Sequence, residues 1–282
     1  MDKKSVIEIL KDNNLWAKKD FGQNFLVSQT ILMSIIKNAG ISDKDFVLEI
    51  GPGLGILTEQ LAKNTRLVLA IEKDRKLAEY LRNKFKSESK KVKIVIDNVL
   101  FFDERSIDGK YKIVANLPYN ITSVFLRKFI MSSHKPSEMI IMIQKEVAER
   151  ITAKPGNRER GFLTVMVELF FRAQIIDIVK PDCFWPVPKV ESAIVKLILN
   201  HSRTHRRTLK ITRNNINAEK FLKFVKIGFS QKRRQIHHPL HSGLYMGKNK
   251  IYEILKKVGI DPSLRAEDLS LDDWIRLYES FI

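Results

Sequence analysis

A glycine run and three acidic residues are the first features whose types and spacing could do chemistry. Glu49-Ile50-Gly51-Pro52-Gly53-Leu54-Gly55 follows an apolar, β-branched run and opens a helical pattern. Glycines at such a junction allow a tight turn and close approach of a ligand to the backbone, with free N–H groups of a helix start behind them. Alone this signal is weak, because many strand-to-helix turns carry glycine and bind nothing. Its spacing is G-x-G-x-G, not the G-x-G-x-x-G of dinucleotide folds. Glu72 stands 21 residues after Gly51, at the end of the next apolar run. A carboxylate there can accept from both hydroxyls of a ribose. Asp97 ends the third run and can accept from the exocyclic amino group of an adenine. The chain lacks a G-x-x-x-x-G-K-[ST] phosphate loop. The pattern therefore suits an adenosine whose tail lies over glycines, and S-adenosylmethionine fits better than a nucleoside triphosphate.

A more specific signal closes the fourth run, at Asn116-Leu117-Pro118-Tyr119. A side-chain amide oxygen, a backbone carbonyl at Leu117 or Pro118, and an aromatic face arrive within four residues. An exocyclic amine on a heteroaromatic ring is a poor nucleophile, because its lone pair is delocalised into the ring. Two acceptors holding its N–H groups turn that lone pair toward a methyl donor, while Tyr119 stacks on the base. No tuned general base is required before transfer, since methylation makes the nitrogen cationic and its proton then leaves readily. The plain alternative is a strand end with a proline turn and a core tyrosine.

Four strand ends must meet on one edge for these residues to cooperate, and the hydrophobic pattern supplies them. Strands are expected over 46–50, 66–71, 92–96, 111–115, 139–143, 173–179 and 190–199, the first five in a β-α-β rhythm. Helices fit 56–63, a segment capped by Asp74 with Leu77, Ala78, Leu81 and Phe85 on one face, and the stretches after Ile121 and Gln144. Before the first strand, Ser28 is placed to cap a helix through Ile31, Leu32, Ile35 and Ile36 that Gly40 closes. Beyond Asn200 the β-branched runs give way to a basic stretch and to amphipathic segments at 219–230, 249–258 and 271–278, which sets a domain boundary near residue 205.

Composition narrows the partners. The chain has 282 residues, of which 44% are apolar and 29% charged, so it is an ordinary globular protein. Its apolar runs fall well short of a membrane span, and neither a membrane location nor a secretory signal is expected; the expected location is cytoplasmic. Cys183 is the lone cysteine, which excludes an intrachain disulfide and a cysteine-cluster zinc site. Fifty Lys and Arg against 32 Asp and Glu give a net charge of +18, which points to a polyanion. Residues 1–200 and 201–282 each carry +9, so the surplus is concentrated at the carboxyl-terminal end. Between His201 and Leu240 there are 11 Lys or Arg and one acid, Glu219.

These motifs, with others along nearly the whole chain, resemble the ribosomal RNA adenine N6,N6-dimethyltransferase family, most nearly its bacterial small-subunit (16S) branch. Phe21-Gly22-Gln23-Asn24-Phe25-Leu26, Gln144-Lys145-Glu146-Val147-Ala148-Glu149-Arg150 and Phe184-Trp185-Pro186-Val187-Pro188-Lys189-Val190-Glu191-Ser192 match further family blocks. The resemblance implies an α/β, Rossmann-like class I S-adenosylmethionine-dependent methyltransferase with a seven-stranded sheet and a small carboxyl-terminal helical domain. Residues 1–205 would be the catalytic domain, with 1–40 a helical extension, and 206–282 a helical RNA-binding domain. The implied cofactor site comprises Asn24, Leu26, Gly51, Gly53, Glu72, Asp97 and Asn116. The implied reaction dimethylates two adjacent adenines in a hairpin near the 3′ end of 16S rRNA, late in maturation of the 30S particle. The chain would act as a monomer and without a metal. It departs from the family pattern at Ile96, at Asn98, at Arg160 and over Gln235-Ile236-His237-His238.

Several residues keep two readings. Phe184 either closes over the target adenine opposite Tyr119 or packs in the core. Lys145 and Arg150 either meet phosphates or line a solvated helix face. The histidines at 201, 205, 237, 238 and 241 have no ligand-spaced partners, which favours RNA contact or plain exposure over metal binding. A turn explains Asp103, Glu104 and Asp108. The rival functions are a 23S rRNA adenine methyltransferase of the macrolide-resistance type, an assembly checkpoint that works by binding, and, more distantly, a nicotinamide dehydrogenase.

Overall fold

In the computed structural model, residues 2–200 and 217–282 are described. The first half runs α1 (Lys3–Asp12), β1 (Phe25–Leu26), α2 (Gln29–Ala39), β2 (Phe46–Ile50), α3 (Ile56–Asn64), β3 (Leu67–Glu72), α4 (Arg75–Lys84), β4 (Val92–Ile96), β5 (Lys112–Asn116), α5 (Thr122–Met131) and β6 (Glu138–Gln144). It continues through α6 (Lys145–Thr152), α7 (Phe162–Phe170), β7 (Phe171–Val179), β8 (Phe184–Trp185) and β9 (Ser192–Leu199). After residue 216 come α8 (Ala218–Gly228), α9 (His237–Leu244), α10 (Lys248–Lys257) and α11 (Leu271–Glu279).

Seven strands form one sheet in the order β4-β3-β2-β5-β6-β9-β7. β2, β3, β4, β5 and β6 are parallel to their neighbours among themselves, and β9 runs antiparallel to β6. Val47, Leu48, Val68, Ile113, Val114 and Ile141 are fully buried. Central parallel strands are covered on both faces, so their sequences are continuously apolar instead of alternating. The chain grows outward through β3 and β4, then returns to place β5 on the other side of β2. Ligands of open α/β sheets bind at this reversal, outside the carboxyl ends of the strands. β2 ends there at Glu49 and Ile50, and β5 at Asn116.

Local signals place the flanking helices. Ser28 accepts from the Ile31 N–H at the start of α2, and Gly40 ends that helix in the left-handed region. Asp74 caps α4 by accepting from the Lys76 N–H, and Leu77, Ala78 and Leu81 bury its inner face. A two-stranded antiparallel sheet, β1 with β8, was not expected from the sequence; it pairs Phe25 with Trp185 and Leu26 with Phe184.

The described chain divides into two compact units, Met1–Ala148 with Gln174–Leu199, and Glu149–Ala173 with Asn200–Ile282. The boundary expected near residue 205 lies outside the described residues. Residues 149–173 group with the carboxyl-terminal helices because α7, apolar on most of its surface, packs against α8 and α11. In this second unit Trp274 is fully buried with Phe221, Val225 and Leu277. Gly228 lies so close to the Trp274 ring that an added Cβ would overlap it. Among the described residues, no helix is long and apolar enough to cross a membrane.

Candidate active site

The cavity at the sheet reversal is lined by the ends of β2, β3, β4 and β5 together with the segment Asp20–Leu26. The glycine loop shapes its floor. Gly51, Gly53 and Gly55 have φ of 64°, 59° and 75°, in the left-handed region that a Cβ disfavours. At Gly55 an added Cβ would come within 2.7 Å of Leu81 and 2.8 Å of Phe85, so this glycine lets the loop lie against α4.

Glu72 reaches across to this loop. Its carboxylate accepts from the Gly53 N–H at 3.3 Å and from the Asp74 N–H at 2.8 Å. Burial pushes its pKa up to about 7, against those two backbone donors, which lower it. Asp97 lies at the neighbouring strand end, lines the same cavity and accepts from the Asn98 N–H at 2.7 Å. Glu49, the acid before the first glycine, was noted in the sequence but given no role there. It is 1% exposed, lines the cavity, and its Oε2 has no hydrogen-bond partner among the described residues. Burial, with the nearby charge of Glu72 adding to it, pushes its carboxyl up to about 8.

The lining therefore holds the carboxyl groups of Asp20, Glu49, Glu72 and Asp97 against one ammonium, that of Lys73, which sits over the Phe21 ring at 5.1 Å. An acceptor-rich, acidic cavity with an orphaned buried carboxyl oxygen suits a cationic adenosyl ligand and repels a polyphosphate. S-adenosylmethionine, with its sulfonium and ammonium groups and its ribose hydroxyls, fits this donor set.

Asn116 joins that cavity to the Leu117–Tyr119 corner. Its Nδ2 donates to the Asn24 carbonyl at 3.1 Å. That bond settles which end of the amide donates and leaves Oδ1 as an acceptor. The Pro118 carbonyl already accepts from the Ile121 N–H at 3.2 Å and the Thr122 hydroxyl at 3.4 Å. Of the two carbonyls open from sequence, Leu117's is thus the one outside that turn. The Tyr119 hydroxyl bonds Ser192 Oγ at 2.7 Å, which anchors one end of a ring that lines the cavity. Ser192 belongs to a matched sequence block, yet nothing in the sequence tied it to Tyr119.

The amino-terminal segment is strapped over this corner. A Cβ on Gly22 would meet Asn120 at 3.4 Å and Pro118 at 3.5 Å. Gln23 Oε1 accepts from the Lys18 N–H at 2.8 Å, and the Lys18 ammonium pairs with Asp74 at 2.7 Å. Asn24 contributes its carbonyl to Asn116, while its own side-chain amide donates to the Gly22 carbonyl at 3.3 Å. Leu26 lines the cavity from β1.

Other sequence candidates lie elsewhere. Phe184 is 1% exposed and belongs to the core cluster with Leu26, Leu32 and Ile194, so it is a core residue and not a wall of the cavity. Its pairing with Leu26 in the small sheet is what turns it inward. Lys145 pairs with Glu191 at 2.7 Å. Arg160 is fully buried and binds Glu168 through two 2.7 Å contacts and the Ala153 and Leu269 carbonyls, so this departure from the family pattern is a brace of the second unit. His237 is neither exposed nor on a contact surface: it is 2% exposed and bonds the Pro262 carbonyl at 3.0 Å. His201 and His205 lie outside the described residues. Among the described residues, no group of three or more His, Cys, Asp or Glu is arranged to hold a metal ion.

The comparisons with known proteins agree with this geometry. The family model for ribosomal RNA adenine dimethylase matches residues 14–282. The chain is 40% identical over 282 residues to ribosomal RNA small subunit methyltransferase A of Enterococcus faecalis, covering 96% of this chain and 92% of that one. It is 37% identical over 273 residues to the protein of the same name from Dehalococcoides mccartyi, covering 96% and 90%. Among solved structures it is similar to a dimethyladenosine transferase from Plasmodium falciparum (TM-score 0.77, 25% identity, 91% of this chain and 97% of that one). It is also similar to the 23S rRNA methyltransferase ErmE (TM-score 0.70, 25% identity, 91% and 99%). With the family model matched over residues 14–282 and relatives of 37–40% identity along nearly its whole length, the chain belongs to the ribosomal RNA adenine dimethylase family.

Proposed function

We propose that this methyltransferase dimethylates N6 of two adjacent adenines in a hairpin near the 3′ end of 16S rRNA, in the immature 30S particle, acting as a cytoplasmic monomer late in subunit maturation. The observation that carries this reading is the Asn116 amide, whose Nδ2 is tied to the Asn24 carbonyl, which leaves Oδ1 as an acceptor at the residue next to Leu117. Two acceptors side by side are what an exocyclic amine with two N–H donors requires.

When bound, S-adenosylmethionine supplies an electrophilic methyl group on a sulfonium. Glu72 and Asp97 hold the adenosine, Gly51 and Gly53 leave room for the tail, and Asn24 and Leu26 close the amino-terminal side. Asn116 Oδ1 and the Leu117 carbonyl accept the two N–H groups of the target adenine, which turns the nitrogen lone pair out of the ring. Pro118 fixes the turn, and Tyr119, held by Ser192, offers its face to the base. Phe184 supports this corner from the core. After each transfer the cationic nitrogen sheds its proton without a dedicated base, which lets the amine be methylated a second time.

The test is tritiated methyl transfer to two substrates, immature small subunits and naked 23S rRNA. Label on the small subunit is expected. Label on the naked 23S rRNA alone would overturn the substrate assignment in favour of the ErmE-like reading.

A further inference from the structure

The second unit displays an aromatic side chain that its own fold does not use. Tyr245 is 96% exposed. It ends α9 at φ 52° and ψ 38°, in the left-handed region. Glycine takes that conformation freely, whereas a residue with a Cβ is strained there. The turn is nevertheless braced. The Tyr245 N–H donates to the His241 carbonyl, the Met246 N–H donates to the same carbonyl at 3.3 Å, and His241 Nδ1 donates to the Met246 carbonyl at 2.6 Å. A strained residue held firmly, with a ring that adds nothing to packing, points to function and not to stability.

Its surroundings select the partner. From Lys220 to Lys250 the chain carries eight Lys or Arg and no acidic residue. All eight are exposed. Among the described residues, the ion pairs of this unit, Arg160 with Glu168 and Arg276 with Asp273, lie outside that segment. The charges of Arg234 and Lys248, from before and after α9, both reach His238 on that helix, and Tyr245 is the residue that ends it. Unpaired cations attract any polyanion, but an acidic polypeptide has no use for an exposed ring. A single-stranded nucleic acid does, because every nucleobase offers a π face.

We propose that Tyr245 is a base-stacking residue: an unpaired nucleobase of the RNA stacks on its ring while neighbouring phosphates meet Arg234, Lys248 and Lys250. This rests on reading the second unit as an RNA-docking surface and adds a single-stranded element that the surface recognises. The test is binding of the full chain to in vitro transcribed small-subunit rRNA over a salt series. Tyr245→Ala is expected to weaken binding about five-fold or more at every salt, the equivalent of roughly 1 kcal/mol at least, without changing the slope of log Kd against log salt. Tyr245→Phe should bind as the unaltered chain does. Tyr245→Gly, which relieves the backbone strain and so cannot fail through misfolding, should weaken binding as alanine does. Unchanged binding by Tyr245→Ala and Tyr245→Gly would overturn the proposal, and so would a flattened slope, which would make Tyr245 a support for phosphate contacts. Arg233→Ala with Arg234→Ala separates the two readings. If that pair flattens the slope while Tyr245→Ala is silent, docking stands and stacking fails. If neither set changes RNA binding, the docking reading itself is wrong.

Discussion

Cations serve different ends in the two units. In the first, Lys18 pairs with Asp74, Lys196 with Glu138, Lys128 with Glu104 and Lys145 with Glu191, all within 3.0 Å. Lys112 shares Glu138 with Lys196 and also reaches Asp45 at 3.4 Å. These pairs fasten the amino-terminal strap and neighbouring strands, and so position the cavity. Between Lys220 and Lys250 no acidic residue stands among the cations, and all eight are exposed. Residues 1–200 and 201–282 carry the same net +9, yet the ion pairs among the described residues fall mostly in the first unit, while the Lys220–Lys250 stretch holds none of them. Net charge says whether a polyanion is a candidate partner; pairing says which cations are already engaged within the fold.

If chemistry and docking are divided in this way, variants of the two regions should fail in different assays. The largest effect is expected for Asn116→Ala, about 10²-fold or more in kcat, the scale of losing one preorganised polar contact to the reacting group. Cofactor and RNA affinities should change far less, and single-turnover kinetics with separate binding titrations would check this. Glu72→Gln should weaken S-adenosylmethionine about ten-fold or more, as expected for hydrogen bonds to a charged acceptor, with RNA affinity kept. A calorimetric titration showing unaltered cofactor affinity would remove Glu72 from the site. Arg233→Ala with Arg234→Ala should lower the salt slope of RNA binding by about two and leave kcat at saturating RNA unchanged.

A pH effect on stability is expected from the cavity. Glu49 and Glu72 are raised from an ordinary 4.5 to about 8 and about 7, chiefly by burial. The folded chain therefore holds protons that the unfolded chain releases over that interval. Their contribution to stability is complete below pH 4.5 and is lost as pH rises through 7 and 8. The Tm of the cofactor-free protein should fall across this range, and Glu49→Gln should flatten the fall. An equally steep fall in that variant would mean Glu49 is ionised in the folded state. The smallest effect is expected at Tyr245, where glycine should stabilise the chain by roughly 1 kcal/mol, read as a rise in Tm of a few degrees.

Much of the fold was legible because burial writes long, periodic signals. The seven strands of the sheet, the Ser28 and Asp74 caps and the Gly40 stop all follow from local residue choice, and the structure agrees. The β1–β8 pair was not legible, because two-residue strands carry no period. Helix α9 was missed because it contains Pro239 and Gly243 and three of the histidines, which reads as a basic loop. The cavity residues were found because each sits at the end of a strand, the one place a parallel sheet presents side chains to a ligand. What joins them was not found. The Tyr119–Ser192 bond spans 73 positions and the Asn116–Asn24 bond 92, and only the folded chain brings those ends together. Phe184 shows the opposite error: an aromatic beside prolines reads as a stacking residue, while its strand pairing with Leu26 turns it into the core.

In the proposed function, the Asn116–Tyr119 corner orients an adenine amine for two successive transfers. Nucleoside analysis of small-subunit RNA methylated to completion tests it most directly. Label in N6,N6-dimethyladenosine at two adjacent positions is expected. Label confined to N6-monomethyladenosine, or carried by a base other than adenine, would contradict it.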